Sequence, residues 1–460
     1  MSAHLEIVIL AAGQGKRMYS DTPKVLHQLA GRPLLAHVLE CVGTLKPAAV
    51  HVVYGHGGER VREAFAQAGV NWARQAEQKG TGHALAQATP AVSDQATVLV
   101  LYGDVPLIRS QTLQGLLSAA GPDRLALLTA ELEQPAGYGR IIRDQAGRVA
   151  RIVESKDASP EQAAVREVNT GFLAAPAARL KTWLAGLRNH NAQGEYYLTD
   201  IIAMAVAEGV SIATRSPQDI SEILGVNSKQ ELAQLERVYQ NQRAQQLMEQ
   251  GVTLRDPARL DVRGELSCGR DVAIDVNVIF EGMVTLGDRV RVGPNNVIRD
   301  CTIGADTVIQ PNCVIEAAEI GTHCRIGPFA HIRPETKLAA HVRVGNFVEV
   351  KKSNVGEGSK MNHLSYIGDT TVGRDVNIGA GSITCNYDGA SKHRTVIGDD
   401  AFIGSNTALV APVTVGAGAT IGAGSVITKE APAGELTLTR ASQTTKPGWK
   451  RPQKKVKSKE

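Results

Sequence analysis

At 460 residues the chain exceeds what one hydrophobic core ordinarily serves, which points to two or three domains. Aromatics at 4% and glycine at 46 positions indicate a fold built partly from small side chains and tight turns. The net charge of +4 belongs to the tail, where Lys446, Lys450, Arg451, Lys454, Lys455, Lys457 and Lys459 face only Glu460; the remainder sums to −2, so composition favours a solvated tail over a nucleic-acid or membrane arm.

The first residues, MSAHLEIVILAAGQGKR, hold a short apolar run with no basic segment before it, and no stretch of the chain is long enough to span a bilayer. Six scattered cysteines, Cys41, Cys268, Cys301, Cys313, Cys324 and Cys385, form no C-x-x-C pair and no disulfide framework, which fits a reducing cytoplasm. From Leu5 to about Asn227, β-rich runs such as Ile7 to Leu10, Val50 to Gly55 and Val98 to Asp104 alternate with helical patterns. That rhythm predicts an α/β doubly wound, Rossmann-like domain with a mostly parallel sheet.

The motif LAAGQGKRM, Leu10 to Met18, follows the first strand and closes on Pro23-Lys24. Its G-x-G turn offers backbone N–H groups to a phosphate, with Arg17 and Lys24 as cations. It is neither a Rossmann fingerprint, since Met18 stands where the third glycine belongs, nor a P-loop. Tyr102-Gly103-Asp104 ends a later apolar strand, where parallel sheets bind ligands, and Asp104 is a hard oxygen ligand suited to Mg²⁺ on a phosphate.

Residues 229–250 lack glycine and proline, and Leu232, Leu235, Val238 and Tyr239 fall at helical spacing, so a long helical linker arm is expected there. Past Leu266 aliphatics recur every sixth residue, the hexapeptide pattern of a parallel β-helix. Triplets such as Ile303, Ile309, Ile315 and Val415, Ile421, Ile427 each make one turn of a three-sided prism. Small residues four places on, Cys313 and Cys324 among them, are expected in its core. Between Thr384 and Ile397 the step is thirteen residues, so CNYDGASKHRTV must leave the prism as a loop, and such loops often bind ligands. Near that interruption Arg333, Lys351 and Tyr366 could grip a phosphate, and His363 is suited to accept a proton at neutral pH.

At these residues the chain resembles the sugar-nucleotide pyrophosphorylases and, with the hexapeptide half, the bifunctional N-acetylglucosamine-1-phosphate uridyltransferase/glucosamine-1-phosphate acetyltransferase family. The resemblance extends to about Arg440. It implies that Leu10, Ala11, Ala12, Gly13, Lys24, Gln75, Gly80, Thr81, Tyr102, Gly103 and Asp104 contact UTP, with Gln75 reading uracil. It further implies that Gly139, Glu154 and Asn169 hold the sugar and that Asp104 and Asn227 bind Mg²⁺. Lys16 departs from the family, which shows a small hydroxyl residue there.

For the second half the resemblance implies a left-handed β-helix, assembled as a homotrimer with sites between neighbours. His363 would be the general base, oriented by Glu349. Arg333, Lys351, Tyr366 and Asn377 would bind the sugar phosphate, and Ala380, Asn386, Tyr387, Ser405, Ala423 and Arg440 acetyl-CoA. Lys392 would reach an adjacent subunit's ligand. The expected boundaries are 1–228 for the uridyltransferase domain, 229–250 for the linker, 251–440 for the acetyltransferase domain and 441–460 for a disordered basic tail. The expected role is synthesis of UDP-N-acetylglucosamine for peptidoglycan and lipopolysaccharide, with no nucleic-acid or membrane partner. Two alternatives stay open: a monofunctional pyrophosphorylase with a structural β-helix, and a non-enzymatic nucleotide-sensing scaffold.

Overall fold

The computed structural model describes residues 4–55, 57–135 and 137–452. The tail positions Lys454, Lys455, Lys457, Lys459 and Glu460 lie outside the described residues. The chain divides into two compact units, Met1–Arg243 and Ala244–Glu460.

In the first unit the apolar run Ile7, Val8, Ile9 is fully buried, as a strand covered on both faces requires. The sheet runs in the order Ser211–Arg215, Arg124–Glu131, Glu167–Pro176, Thr97–Tyr102, Leu5–Ala11, Ala49–Tyr54, Asn71–Arg74. Pairing is parallel except at Glu167–Pro176, which runs antiparallel to both neighbours. That strand also pairs with Gly139–Arg143 of a hairpin completed by Val149–Val153. The hairpin thus stands beside the carboxyl end of Thr97–Tyr102 and carries Gly139 to the site.

The long helix is Lys229–Glu249. It starts on a reciprocal cap: Glu231 N–H donates to Ser228 Oγ (3.2 Å), while Ser228 N–H donates to Glu231 Oε2 (3.1 Å). Leu235 is buried with Met18, Leu29 and Leu34 of the first unit; Ala244 and Leu247, in the last turns, belong to the core of the second.

The second unit is a three-sided parallel β-helix. One face is a sheet of 11 short strands; the other two merge at their corners into a sheet of 17. The six-residue aliphatics all point inward, from Leu286 and Val292 to Ile421 and Ile427, and so do the small residues Thr307, Cys313, Cys324, Ser382 and Ser425. Each inward isoleucine is worth about 1.5–3 kcal/mol of transfer free energy. Corners turn through left-handed residues, many of them Asn or Asp, such as Asn295, Asp306 and Asn312.

The prism begins earlier than the hexad triplets suggest, at Thr253–Leu254, and its first strands are unusual. Leu260–Cys268 and Val278–Leu286 each run nine residues across a corner without a break. Gly264 and Gly282 turn there at φ +140° and +66°, and a Cβ on Gly264 would lie 2.2 Å from the Gly282 carbonyl oxygen. The six-residue inward spacing nevertheless continues through them as Val262, Cys268, Ile274, Phe280 and Leu286.

Candidate active sites

In the first unit, Leu10, Ala11, Ala12 and Gly13 at the end of the first strand line a cleft of about 400 Å³ with Lys24, Gln75, Gly80, Thr81, Tyr102, Asp104 and Asn227. The turn wraps closely around Lys24: Gly15 takes φ +63°, and a Cβ on it would lie 2.9 Å from Lys24 Cβ. Gly103 lies beneath the cleft rather than in its wall, packed against Ala11, Leu35 and Val25. Gln75 is buried, and its side-chain amide donates to the Gly80 carbonyl (3.1 Å) and lies 3.1 Å from His83 Nδ1, so it is held rigidly.

Thr81 and Tyr102 are shared with an adjoining cavity of about 210 Å³ that also contains Gly139, Glu154 and Asn169. Asn169 and Gly139 are register partners, and a Cβ on Gly139 would come within 3.5 Å of Glu154 Oε2. Thr199 Oγ1 donates to Glu154 Oε1 at 2.8 Å. Burial raises the Glu154 carboxyl above the ordinary carboxylate range, with Asp200, Asp157 and Glu195 pushing the same way. Burial likewise pushes the Tyr102 phenol up, so that it stays neutral.

Lys24 Nζ donates to Asp104 Oδ2 and, at 3.2 Å, to Asn227 Oδ1. The Val226 N–H donates to the Asp104 carbonyl (3.0 Å), and Glu231 Oε2 accepts from the Asn227 N–H (2.6 Å), so Asn227 is fixed beside Asp104 by the start of the long helix. A carboxylate and an amide oxygen thus converge on one cation position. Among the described residues no group of three or more His, Cys, Asp and Glu forms a metal cage. Two hard oxygens suit Mg²⁺, which keeps its remaining positions for water and substrate phosphate. Arg17 is exposed and lines a neighbouring cavity that shares Tyr102, Asp104 and Asn227 with the cleft and also contains Glu231.

In the second unit, Asn346 and His363 are register partners on neighbouring strands. Continuing that column upward, the backbone pairings of Met361 with Ile378, Ile378 with Ile403 and Ile403 with Ile421 stack His363 under Ala380, Ser405 and Ala423. Arg440 follows at the top: its Cδ lies 4.0 Å from where a Cβ on Gly424 would stand. Four of the six residues expected to hold acetyl-CoA therefore run along one corner above His363. Asn377 lies on the strand just before that corner, paired with Lys360 and Phe402.

Round the next corner, Glu349 and Tyr366 are register partners, as are Lys351 and Gly368. The loop that leaves the prism after Cys385 folds back over this face: Asn386 donates to Asp369 Oδ2 and reaches the Tyr366 hydroxyl (3.4 Å). Lys392 brings its ammonium against Lys351. That neighbour, with Arg333 beyond it, holds Lys351 below the ordinary lysine value. Cations gathered at such a cost are suited to an anion. Tyr387 is exposed on the loop.

One expectation needs correction. Glu349 does not orient His363; Arg333 donates to it at 2.8 Å, while His363 Nδ1 meets Asn346 Oδ1 at 2.8 Å. The reason is register: Glu349 belongs to the next face of the prism. Lys392 joins the cation cluster of its own chain. Sequence reasoning also missed Gln78, whose side-chain amide donates to the Ala12 carbonyl, Thr199 and Asp369. None of these three stands in a periodic pattern. Asn346 left a usable signal, since it precedes His363 by one 17-residue coil.

Residues 7–254 match the MobA-like NTP transferase domain, 394–429 the bacterial transferase hexapeptide (six repeats), and 262–355 the GMPPB C-terminal domain. The protein named bifunctional protein GlmU from Azoarcus sp. (strain BH72) is 62% identical over 98% of this chain and 100% of its own length. Its namesakes from Ralstonia nicotianae and Methylococcus capsulatus are 60% and 59% identical over 98% and 97% of this chain, covering 100% and 97% of their own lengths.

The chain belongs to the GlmU family.

Membership in this bifunctional family matches the two constellations, one in each unit. The GlmU chain is an enzyme with nucleotidyltransferase chemistry in its first half and acyltransferase chemistry in its hexapeptide half. The likeness covers both halves, which removes the monofunctional and non-enzymatic alternatives. No helix among the described residues is long and apolar enough to cross a membrane.

Proposed function

We propose that the hexapeptide unit acetylates glucosamine 1-phosphate from acetyl-CoA and that the first unit transfers uridylyl from UTP to the resulting N-acetylglucosamine 1-phosphate. The observation that carries this reading is the meeting of Lys24, Asp104 and Asn227 in a cleft continuous with the pocket of Glu154, Asn169 and Gly139. A triphosphate and a sugar fit side by side in such a pair of cavities.

In the first unit an oxygen of the sugar phosphate attacks the α-phosphorus of UTP in line; a P–O bond forms as the bond to pyrophosphate breaks. Gln75 reads uracil, the Leu10 to Gly13 turn presents backbone N–H groups, and Glu154 and Asn169 take sugar hydroxyls. Lys24 and Arg17 neutralise charge on the phosphates, so positioning and electrostatics supply most of the rate. Mg²⁺, held by Asp104 and Asn227, would supply further charge neutralisation there.

In the second unit Arg333, Lys351, Tyr366 and Asn377 grip the sugar phosphate. Ala380, Asn386, Tyr387, Ser405, Ala423 and Arg440 seat acetyl-CoA along the corner. The 2-amine attacks the thioester carbonyl: a C–N bond forms, the proton passes from the amine to His363, the C–S bond breaks, and the departing CoA sulfur takes up that proton to leave as the thiol. The working form is a cytoplasmic homotrimer, a reading supported by the hexapeptide prism and by the exposed sites on its corners. Its product feeds peptidoglycan and lipopolysaccharide synthesis.

The test is one incubation with glucosamine 1-phosphate, acetyl-CoA, UTP and Mg²⁺, followed by mass analysis. UDP-N-acetylglucosamine is expected; its absence, with both substrates unchanged, overturns the proposal.

A further inference from the structure

We infer that Asn346 is the positioning residue of the acetyl-transfer site, fixing the His363 imidazole with its Nδ1–H donated to Asn346 and its Nε2 lone pair turned toward the amine. This rests on the reading of His363 as the general base.

The inference starts with the ladder. Asn346 and His363 lie one coil apart on parallel strands, in register, and their side chains meet at 2.8 Å. Their close approach is built into the backbone. A Cβ on Gly345 would stand 1.9 Å from the Asn362 carbonyl oxygen, so only glycine lets these two strands come together at that level.

The contact selects a tautomer. An amide oxygen only accepts, so the ring nitrogen facing it must carry the proton, and the neutral imidazole then has its lone pair on Nε2. A base exposed at a corner would otherwise turn freely and spend time with the wrong nitrogen forward. A neutral amide performs this task without stabilising the imidazolium, which a carboxylate would do. The groups around the ring agree with that. Asn346 lies below and Ala380 above, neither charged; Lys360 lies on the same strand with Arg343 beneath it. Across the corner, Glu349 is engaged by Arg333 and Tyr366 is in reach of Asn386.

The experiment uses the full-length protein with glucosamine 1-phosphate and acetyl-CoA, following CoA thiol release across pH, with uridylyl transfer measured on the same samples. Asn346→Ala is expected to lower kcat for acetylation by roughly 10- to 100-fold, the scale of a misplaced reacting group, with KM for both substrates little changed. Asn346→Asp keeps an acceptor, so activity should persist at high pH. Its carboxylate favours the protonated ring, so the acid limb of the profile should move to higher pH. A merely structural asparagine would not move that limb. Wild-type kcat in Asn346→Ala, a KM effect alone, or an unmoved limb in Asn346→Asp would overturn the inference. Should His363→Ala itself keep full acetylation, the reading of His363 as base fails first, and the role of Asn346 with it.

Discussion

Lys24 and Asp104 meet ammonium to carboxylate, 80 residues apart in the chain, with only 13% and 14% of their side chains exposed. Each is the other's counter-charge. On the proposed reading, removing Lys24 strips one cation from the phosphates and leaves a mostly buried carboxylate facing them. Lys24→Ala is expected to lower uridylyl transfer by about 10²–10³. Acetylation by the same sample should be unchanged, and a parallel assay of both activities checks this.

Glu154 carries a pH signature. Its carboxyl is raised by burial, so as pH falls it takes up a proton earlier than an ordinary carboxylate. If the ionised form accepts sugar hydroxyls, KM for N-acetylglucosamine 1-phosphate should rise on the acid side at a pH above the usual carboxylate range. Glu154→Gln should abolish that limb and show a high KM throughout. Steady-state kinetics at several pH values measures it.

Much of this was legible in the sequence, and for a physical reason. A prism that buries one aliphatic per six residues leaves a period no other fold imitates, so the inward positions of Ile303 to Ile427 and the core places of Cys313 and Cys324 were readable directly. The first coils keep that spacing through Val262, Cys268, Ile274 and Phe280, but Cys268 and Phe280 stand where later coils carry branched aliphatics. At the sites, Lys24 and Asp104 stood in motifs, whereas the partner of His363 depended on register. The resemblance pointed to Glu349, yet the neighbour across a coil lies 17 residues away, at Asn346.

The buried thiols test that packing. Burial pushes Cys301 up to about 11 and Cys41 to about 12, and raises Cys313 and Cys324 as well. Thiolates are the reactive species, so the buried Cys301, Cys313 and Cys324 should resist an aromatic disulfide reagent at pH 8 in the native protein and react on unfolding. Cys268 and Cys385, which are only partly buried, should react first. Rapid native labelling of Cys313 or Cys324 would contradict the prism core.

Gly171 lines the cavity of Gly139, Glu154 and Asn169. It takes φ +88°, and a Cβ there would lie 2.4 Å from the Tyr102 ring. Gly171→Ala is expected to cost about 1–3 kcal/mol of stability through backbone strain. By displacing Tyr102 it should also raise KM for the sugar phosphate more than KM for UTP. Denaturant unfolding and steady-state kinetics measure the two effects.

The central claim is that one chain carries two separate sites joined only by a diffusible sugar phosphate. Mixing the Asp104→Ala and His363→Ala proteins with glucosamine 1-phosphate, acetyl-CoA, UTP and Mg²⁺ tests it most directly, with product followed by mass. Each variant alone should yield no UDP-N-acetylglucosamine, the first stopping at N-acetylglucosamine 1-phosphate and the second leaving glucosamine 1-phosphate unacetylated, while the mixture should make the nucleotide sugar. Product from either variant alone at the wild-type rate, or none from the mixture of two folded proteins, would contradict it.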